Sequence, residues 1–225
     1  MEEYYAELLK LPLFHGFSLL QLPKLLERLR AQKRNYKAGS FVKREGDPAD
    51  FIGIVLEGSV HVMRIDYDGN RNIISAIEKG ELFAEAFVCA GVEKLPVDIA
   101  ANTDAVILFL SREQLFAQTV QMEDGRLPNL LIANLLRIVA GKNVKLNQKL
   151  RYLSNKTTAE KLLDFLSDQA KEHHSKEFTI PYSRQELADF LGVERSAMSA
   201  EISKLQKKGI LETKKNYFKL APSLF

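Results

Sequence analysis

The spacing of apolar residues changes period twice along the chain. Before residue 31 it is helical, with Leu19, Leu22, Leu25, Leu26 and Leu29 on one face of a short helix. Between about residues 34 and 110 it becomes the pattern of strands. Residues 40–43, 51–57, 59–65, 71–77 and 105–110 are short, rich in Ile and Val, and separated by glycine. Glu57-Gly58-Ser59 and Asp68-Gly69-Asn70 are tight-turn sequences, because glycine supplies the positive φ that such turns need. This many short strands at regular spacing predict a sandwich or barrel.

After Pro128 the period is helical for about 25 residues. Ile132, Leu136, Val139, Asn143, Leu146, Leu150 and Leu153 recur at alternating steps of four and three. That is a heptad seam, and it predicts a parallel two-stranded dimer in which paired Asn143 side chains fix the register. The competing reading is a core helix packed on its own domain, whose stripe would drift from a 3.5-residue repeat.

Past residue 154 a second helical unit begins. Thr157 or Thr158 followed by Glu160 is a helix-start signal, and Leu162, Leu163, Phe165 and Leu166 form the buried face. A short extended piece, 178–181, precedes two short helices. Ser183 caps the first, with Glu186 completing a capping box. Gly192 breaks it, Val193 plugs the turn, and a second helix starts near Glu194-Arg195. Leu187, Ala188, Leu191, Val193, Met198, Ile202 and Leu205 supply the packing. This is helix-turn-helix patterning, whose second helix enters the major groove. Two short strands around Lys214-Lys215-Asn216 add the wing of a winged helix-turn-helix.

On the second helix, Arg195, Ser196 and Ser199 fall opposite the apolar set. Arginine can donate twice to guanine, and serine can serve base edges or phosphates. Lys204, Lys207, Lys208, Lys214 and Lys215 suit phosphates. A plain small helical domain would not need capping box, glycine turn and basic wing together.

Charge placement sharpens this picture. The 225 residues carry 32 basic and 29 acidic side chains, a net of +3. Residues 127–225 hold 17 basic and 10 acidic, a balance of +7, which leaves 15 basic and 19 acidic before them, a balance of −4. The basic half has the electrostatic footprint of a nucleic-acid-binding module. Residues 127–153 include Arg137, Lys142, Lys145, Lys149 and Arg151 and no carboxylate, so a parallel pair would repel itself unless a negative group lies close. The acidic N-terminal half, or an anionic effector near Lys142 or Arg137, would supply that group.

Composition excludes other classes. One cysteine, Cys89, cannot form an internal disulfide or build an iron–sulfur cluster or four-thiolate zinc site. Its setting, Phe87-Val88-Cys89-Ala90, predicts a small buried hydrophobe, with a redox-sensitive thiol as the alternative. His15 and His61 have no obvious partner as haem ligands, and His173-His174 fits a helix C-terminus. With His61 the only histidine in the strand region, a metal-binding barrel enzyme lacks ligands. No secretion signal or membrane span is seen, so a cytoplasmic location is expected.

Three segments resemble the Crp/Fnr family of bacterial transcription regulators. They are Lys37-Ala38-Gly39-Ser40 with Glu45-Gly46-Asp47-Pro48-Ala49-Asp50-Phe51 and Val55-Leu56-Glu57-Gly58-Ser59-Val60, then the long helix, then residues 182–205 with the wing. The resemblance implies an α+β chain of three parts: a cyclic-nucleotide-binding-type β-barrel (jelly roll) over 1–126, a dimerisation helix over 127–153, and a winged helix-turn-helix over 154–225. It implies a homodimer on a palindromic site in double-stranded DNA, under control of a small-molecule effector, with RNA polymerase a candidate further partner. Ser183 and Gln185 match phosphate-touching positions of the family. Arg195 matches the arginine of the cyclic-AMP receptor branch, and Ser196 and Ser199 match base-reading positions of the oxygen-sensing branch. Ala200 stands where a second arginine is usual. In cyclic-AMP binders a Gly-Glu-Leu segment holds the ribose and an Arg-Ser-Ala segment the phosphate. Here Gly80-Glu81-Leu82-Phe83-Ala84-Glu85 is followed by Leu95-Pro96-Val97-Asp98, with no arginine for the phosphate. An effector other than cyclic AMP is therefore expected, with Phe83, Glu85, Val97, Arg137 and Lys142 as pocket residues. The alternative is a ligand-independent DNA-binding protein that uses the barrel as a dimer platform.

Overall fold

The leucine-rich start of the chain forms short helical turns and two helices, α1 (Tyr5–Leu8) and α2 (Gln21–Arg28). Leu22, Leu25, Leu26 and Leu29 are buried, but Leu19 is exposed. Helix α2 begins only at Gln21, so Leu19 lies in the turn before it and off the buried face. The computed structural model describes residues 1–65, 71–117, 126–180 and 182–221. It divides into two compact units, Met1–Ala140 and Gly141–Phe225.

The first unit is a barrel of two four-stranded antiparallel sheets. Its elements are β1 (Gln32–Tyr36), β2 (Phe41–Lys43), β3 (Phe51–Glu57), β4 (Val60–Ile65), β5 (Arg71–Ile77), β6 (Leu82–Phe83), α3 (Glu85–Cys89), β7 (Asp98–Ala101), β8 (Ala105–Ser111) and α4 (Arg112–Phe116). The strand orders are β1-β8-β3-β6 and β2-β7-β4-β5. Strand β3 explains the layering. Successive side chains of a strand point to opposite faces, and both faces of β3 are covered. Phe51 and Val55 join residues of both sheets in the barrel interior. Ile52, Ile54 and Leu56 lie in a second core with Leu8, Phe14, Leu22 and Leu25 of the N-terminal helical region. The tight turn at Gly58 has φ +74°, and a Cβ there would lie 2.2 Å from the Asp104 carbonyl oxygen. The Asp68-Gly69-Asn70 turn lies outside the described residues.

Aromatic rings pack against one another inside the barrel. Phe51 meets Phe83 edge-on at 6.1 Å and Phe109 at 5.0 Å. The Phe83 ring occupies the space above Gly53, where an added Cβ would come within 2.0 Å of it. Glycine at 53 is thus the condition for that ring to enter the interior.

The long helix α5 (Arg126–Ser154) spends its first turns on this unit. Leu131 and Leu135 are buried against the N-terminal helical core, and Ile138 and Val139 pack on it in part. Buried Asn134 donates to the carbonyls of Leu13 at 3.1 Å and His15 at 2.8 Å. A buried amide is stable only with such partners, so this pair of bonds pins the helix to the N-terminal turn. Val139, expected in the dimer seam, is therefore shared with the core of its own unit. No described helix is long and apolar enough to cross a membrane.

The second unit contains the remainder of α5, then α6 (Thr158–Glu172), β9 (Glu177–Thr179), α7 (Arg184–Leu191), α8 (Arg195–Lys207), β10 (Leu211–Lys214) and β11 (Tyr217–Leu220). Its core joins Phe165, Leu187, Leu191, Met198, Ile202 and Phe218. Strands β10, β11 and β9 form one antiparallel sheet in that order. Together the units make an α+β chain: a β-rich barrel domain, a long helix, and a C-terminal helix-turn-helix with a wing.

Replacing Gly53 by Ala should destabilise the chain by about 1–3 kcal/mol through overpacking. Adding Phe83→Leu should return part of that loss, as measured by denaturant unfolding of the two variants.

Candidate nucleic-acid interface

Two capping boxes set the helices of the second unit. Ser183 accepts from the Glu186 N–H at 3.3 Å, while the Glu186 carboxylate accepts from the Ser183 N–H at 2.6 Å. Thr157 and Glu160 repeat the device at the start of α6, at 3.2 and 3.0 Å. These N–H bonds hold both glutamate carboxyls below their ordinary value. Gly192 closes α7 at φ 59°, ψ 50°, the left-handed conformation of a helix C-terminus. The Val193 N–H returns to the Ala188 carbonyl at 3.0 Å. A second helix therefore starts two residues later, at Arg195.

That helix, α8, buries Met198, Ile202 and Leu205 and leaves Arg195, Ser196 and Ser199 exposed. The three expected base readers thus share the solvent face near its N-terminus. Glu194, the residue before the helix, makes no side-chain cap. The first turn therefore keeps open N–H groups and the positive end of the helix dipole, which suit a phosphate. Ser183 and Gln185 are exposed at the start of α7, and Gln185 donates to Asp189 at 2.8 Å. Lys204 lies 3.4 Å from Glu201, so part of its charge is answered within the helix. Lys214 and Lys215 sit exposed at the tip of the wing, where Lys215 turns the hairpin at φ 56°.

One residue escaped the sequence reading. Arg184, the first residue of α7, donates from Nη2 to Thr213 Oγ1 at 2.7 Å, and its guanidinium lies 4.8 Å from the Phe218 ring centroid. Its Nη1 is buried without a hydrogen-bond partner among the described residues, and burial pushes its pKa down. Thr213 Oγ1 in turn donates to the Tyr217 carbonyl at 2.7 Å. Arg184 therefore ties the helix-turn-helix to the wing. A cation at a helix N-terminus opposes the dipole, and that mismatch was the available signal.

The other expected residues behave less uniformly. Phe83, Glu85 and Val97 are buried in the first unit. Asp98 is buried as well, accepting from the Glu45 N–H at 3.1 Å. Arg137 is exposed and donates to Asn134 at 3.1 Å, whereas Lys142 belongs to the second unit. On α5, Ile132, Leu136, Leu146, Leu150 and Leu153 are exposed, Leu136 by 67%. Asn143 is exposed too, and its side-chain oxygen accepts from Asn147 at 2.7 Å. Arg151 finds negative partners in Asp164, at 3.2 Å, and Asp168. Both belong to α6, so the counter-charge for this cation comes from the basic half and not from the acidic one. Cys89 is exposed, contrary to the buried hydrophobe expected, because it ends the short helix α3 on its outer side. Desolvation and Glu85 push its thiol up, which disfavours the reactive thiolate.

Family models match in two places: a cyclic nucleotide-binding domain over residues 33–121 and a Crp-like helix-turn-helix domain over residues 159–221. Among curated relatives, the transcriptional activator protein FnrL of Cereibacter sphaeroides is 25% identical over 187 residues, covering 79% of this chain and 71% of its own. The CRP-like protein Clp of Xanthomonas euvesicatoria pv. vesicatoria is 26% identical, covering 84% of each. In fold, the chain resembles the catabolite activator protein of Thermus thermophilus, with TM-score 0.53, 24% identity and 93% of each chain covered. It also resembles the c-di-GMP responsive regulator CLP of Xanthomonas campestris, with TM-score 0.56, 22% identity, and 88% and 98% covered.

Ser183→Ala should cost about 1 kcal/mol of stability in thermal or denaturant unfolding, the usual loss for a missing cap. The pH dependence has a definite sign. Glu160 and Glu186 are depressed in the folded state, so their contribution is complete above the ordinary carboxyl value of 4.5 and is lost as pH falls through the lowered value. The thermal midpoint should fall on acidification below that point, and less steeply in a Glu160→Gln/Glu186→Gln variant.

Proposed function

The chain belongs to the Crp/Fnr family of transcription regulators, and from that premise we propose that it acts as a homodimer binding a palindromic DNA site under control of a small-molecule effector. The observation that carries the reading is the exposed face of α8. Arg195, Ser196 and Ser199 point away from a packed core at the helix end that helix-turn-helix proteins place in the major groove. Arg195 would read guanine, the two serines base edges or phosphate, and Ser183, Gln185, Lys204, Lys214 and Lys215 the backbone.

The dimer is supported by α5. One stripe, Leu131, Asn134 and Leu135, is spent on its own unit, while Ile132, Leu136, Leu146 and Leu150 remain exposed at heptad spacing. Exposed apolar residues recurring along one helix face mark an interaction surface. Pairing it with a second copy about a two-fold axis gives two recognition helices related as the halves of a palindrome. RNA polymerase is a candidate further partner, the cytoplasm the site of action, and catalysis has no part in it.

Cyclic AMP is a poor candidate effector. Leu95-Pro96-Val97-Asp98 offers a phosphate no arginine, and Asp98 adds a buried carboxyl nearby. The Phe83 ring over Gly53 supports a second reading, in which the barrel takes no ligand and serves as a dimer platform. A cyclic dinucleotide, to which the Xanthomonas campestris regulator responds, belongs among the compounds to try.

Selection from a random DNA pool, with and without a metabolite extract, tests both. An effector-dependent palindrome supports the first reading, an effector-independent one the second, and failure to enrich any palindrome sinks both. Arg195→Ala should weaken the selected site by about 1–3 kcal/mol and relax one base position. Leu146→Asp/Leu150→Asp should turn the dimer into a monomer in sedimentation and abolish preference for paired half-sites.

A further inference from the structure

The second unit contains a cavity of about 570 Å³, within the range of small-molecule sites. Three helices and a loop wall it: the last turns of α5, α6, the end of α7, and Tyr182 in the loop before α7. Four aromatic rings form the floor. Tyr182 and Phe190 stack at 5.1 Å, Phe165 meets Phe190 at 5.6 Å, and Tyr152 stands edge-on to Phe165 at 5.8 Å. The cluster is held in place, because the Tyr152 hydroxyl donates to Asp168 at 2.8 Å. Burial, with that carboxylate, pushes the Tyr152 hydroxyl far up, so it stays a donor. Tyr182 and Phe190 are only half-buried, which leaves ring surface facing the cavity.

The rim is cationic on the α5 side. Lys145 and Lys149 are one helical turn apart, and Lys149 Nζ lies 5.1 Å from the Phe190 ring centroid. Neither has a carboxylate partner among the described residues. Glu172 lines the α6 side and accepts from Gln169 at 3.0 Å. A flat ring would stack on Tyr182 and Phe190 in the offset manner that aromatic pairs prefer. One negative group on that ring would reach the two lysines, and Glu172 would repel a second.

We propose that this cavity is a binding site for a planar aromatic molecule carrying a single anionic group, and that its occupancy changes DNA affinity. The second clause rests on the reading of the chain as a DNA-binding regulator. The physical link is short. A bound ring would bridge α5 and α7, and α7 leads through Gly192 directly into α8. The site lies wholly within the second unit.

The test uses the full-length chain and two fluorescent probes, 8-anilinonaphthalene-1-sulfonate and its uncharged analogue N-phenyl-1-naphthylamine. The sulfonate should bind one per chain and about tenfold more tightly than the neutral dye, as expected for charge-assisted contacts. Lys145→Glu/Lys149→Glu should abolish that difference while circular dichroism and the thermal midpoint stay close to wild type. Phe190→Leu should weaken both dyes. Saturating sulfonate should shift affinity for the selected DNA site several-fold in the wild type alone. Dye binding unchanged in both folded variants would overturn the site, placing the dye on the exposed leucines of α5. Variant-sensitive dye binding with unchanged DNA affinity would overturn the coupling and leave the site standing. Failure to bind any DNA, with or without dye, would count against the regulator reading, while the dye data decide the cavity by themselves.

Discussion

The anchoring of the first turns of the long helix on the N-terminal core is the constraint from which the first unit follows. Asn134 commits one face to the N-terminal turn through two bonds to backbone carbonyls, with Leu131 and Leu135 buried on either side. An α-helix has 3.6 residues per turn, so fixing that face fixes where its neighbours in the first unit point. Within the first unit, Ile132 and Leu136 are turned away from the core and are exposed. A polar residue thus does what a larger apolar one could not, because an unpartnered buried amide penalises any rotated arrangement.

The barrel and the helical unit solve the problem of filling space in opposite ways. In the barrel, Phe51, Phe83 and Phe109 close the interior on themselves, and a single glycine makes room for the middle ring. In the helical unit Phe165 and Phe218 lie in the core, while Tyr182 and Phe190 are half-buried and keep a free face.

Much of this was legible in the sequence, and the exceptions have physical causes. Strand 51–57 was readable because burial on both faces writes a continuous apolar run into the sequence, and the helix around Leu187 because its buried positions follow the helical period. Capping at Ser183 was readable because few side chains satisfy that N–H. Strand β1 was hidden. Gln32-Lys33-Arg34-Asn35-Tyr36 is almost wholly exposed, and what holds it is backbone pairing with β8, which leaves no apolar pattern. Leu19 and Cys89 misled because an apolar residue next to a helix boundary can face outward at no great cost. The candidate interface was read on α8, but not the Arg184–Thr213 tie, since it joins residues 29 positions apart. The aromatic cavity was equally invisible, because its four rings come from three helices and a loop.

The run from Arg137 to Lys149 has a consequence for how such a molecule would respond to its medium. From Arg137 to Lys149 the sequence holds four cations and no acidic residue. In the proposed dimer, dissolved ions would screen the repulsion between two such helices and favour association. The same ions would weaken the hold of Lys204, Lys214 and Lys215 on phosphate. Ionic strength would then drive subunit pairing and DNA release together, giving osmotic conditions a lever on occupancy that needs no ligand.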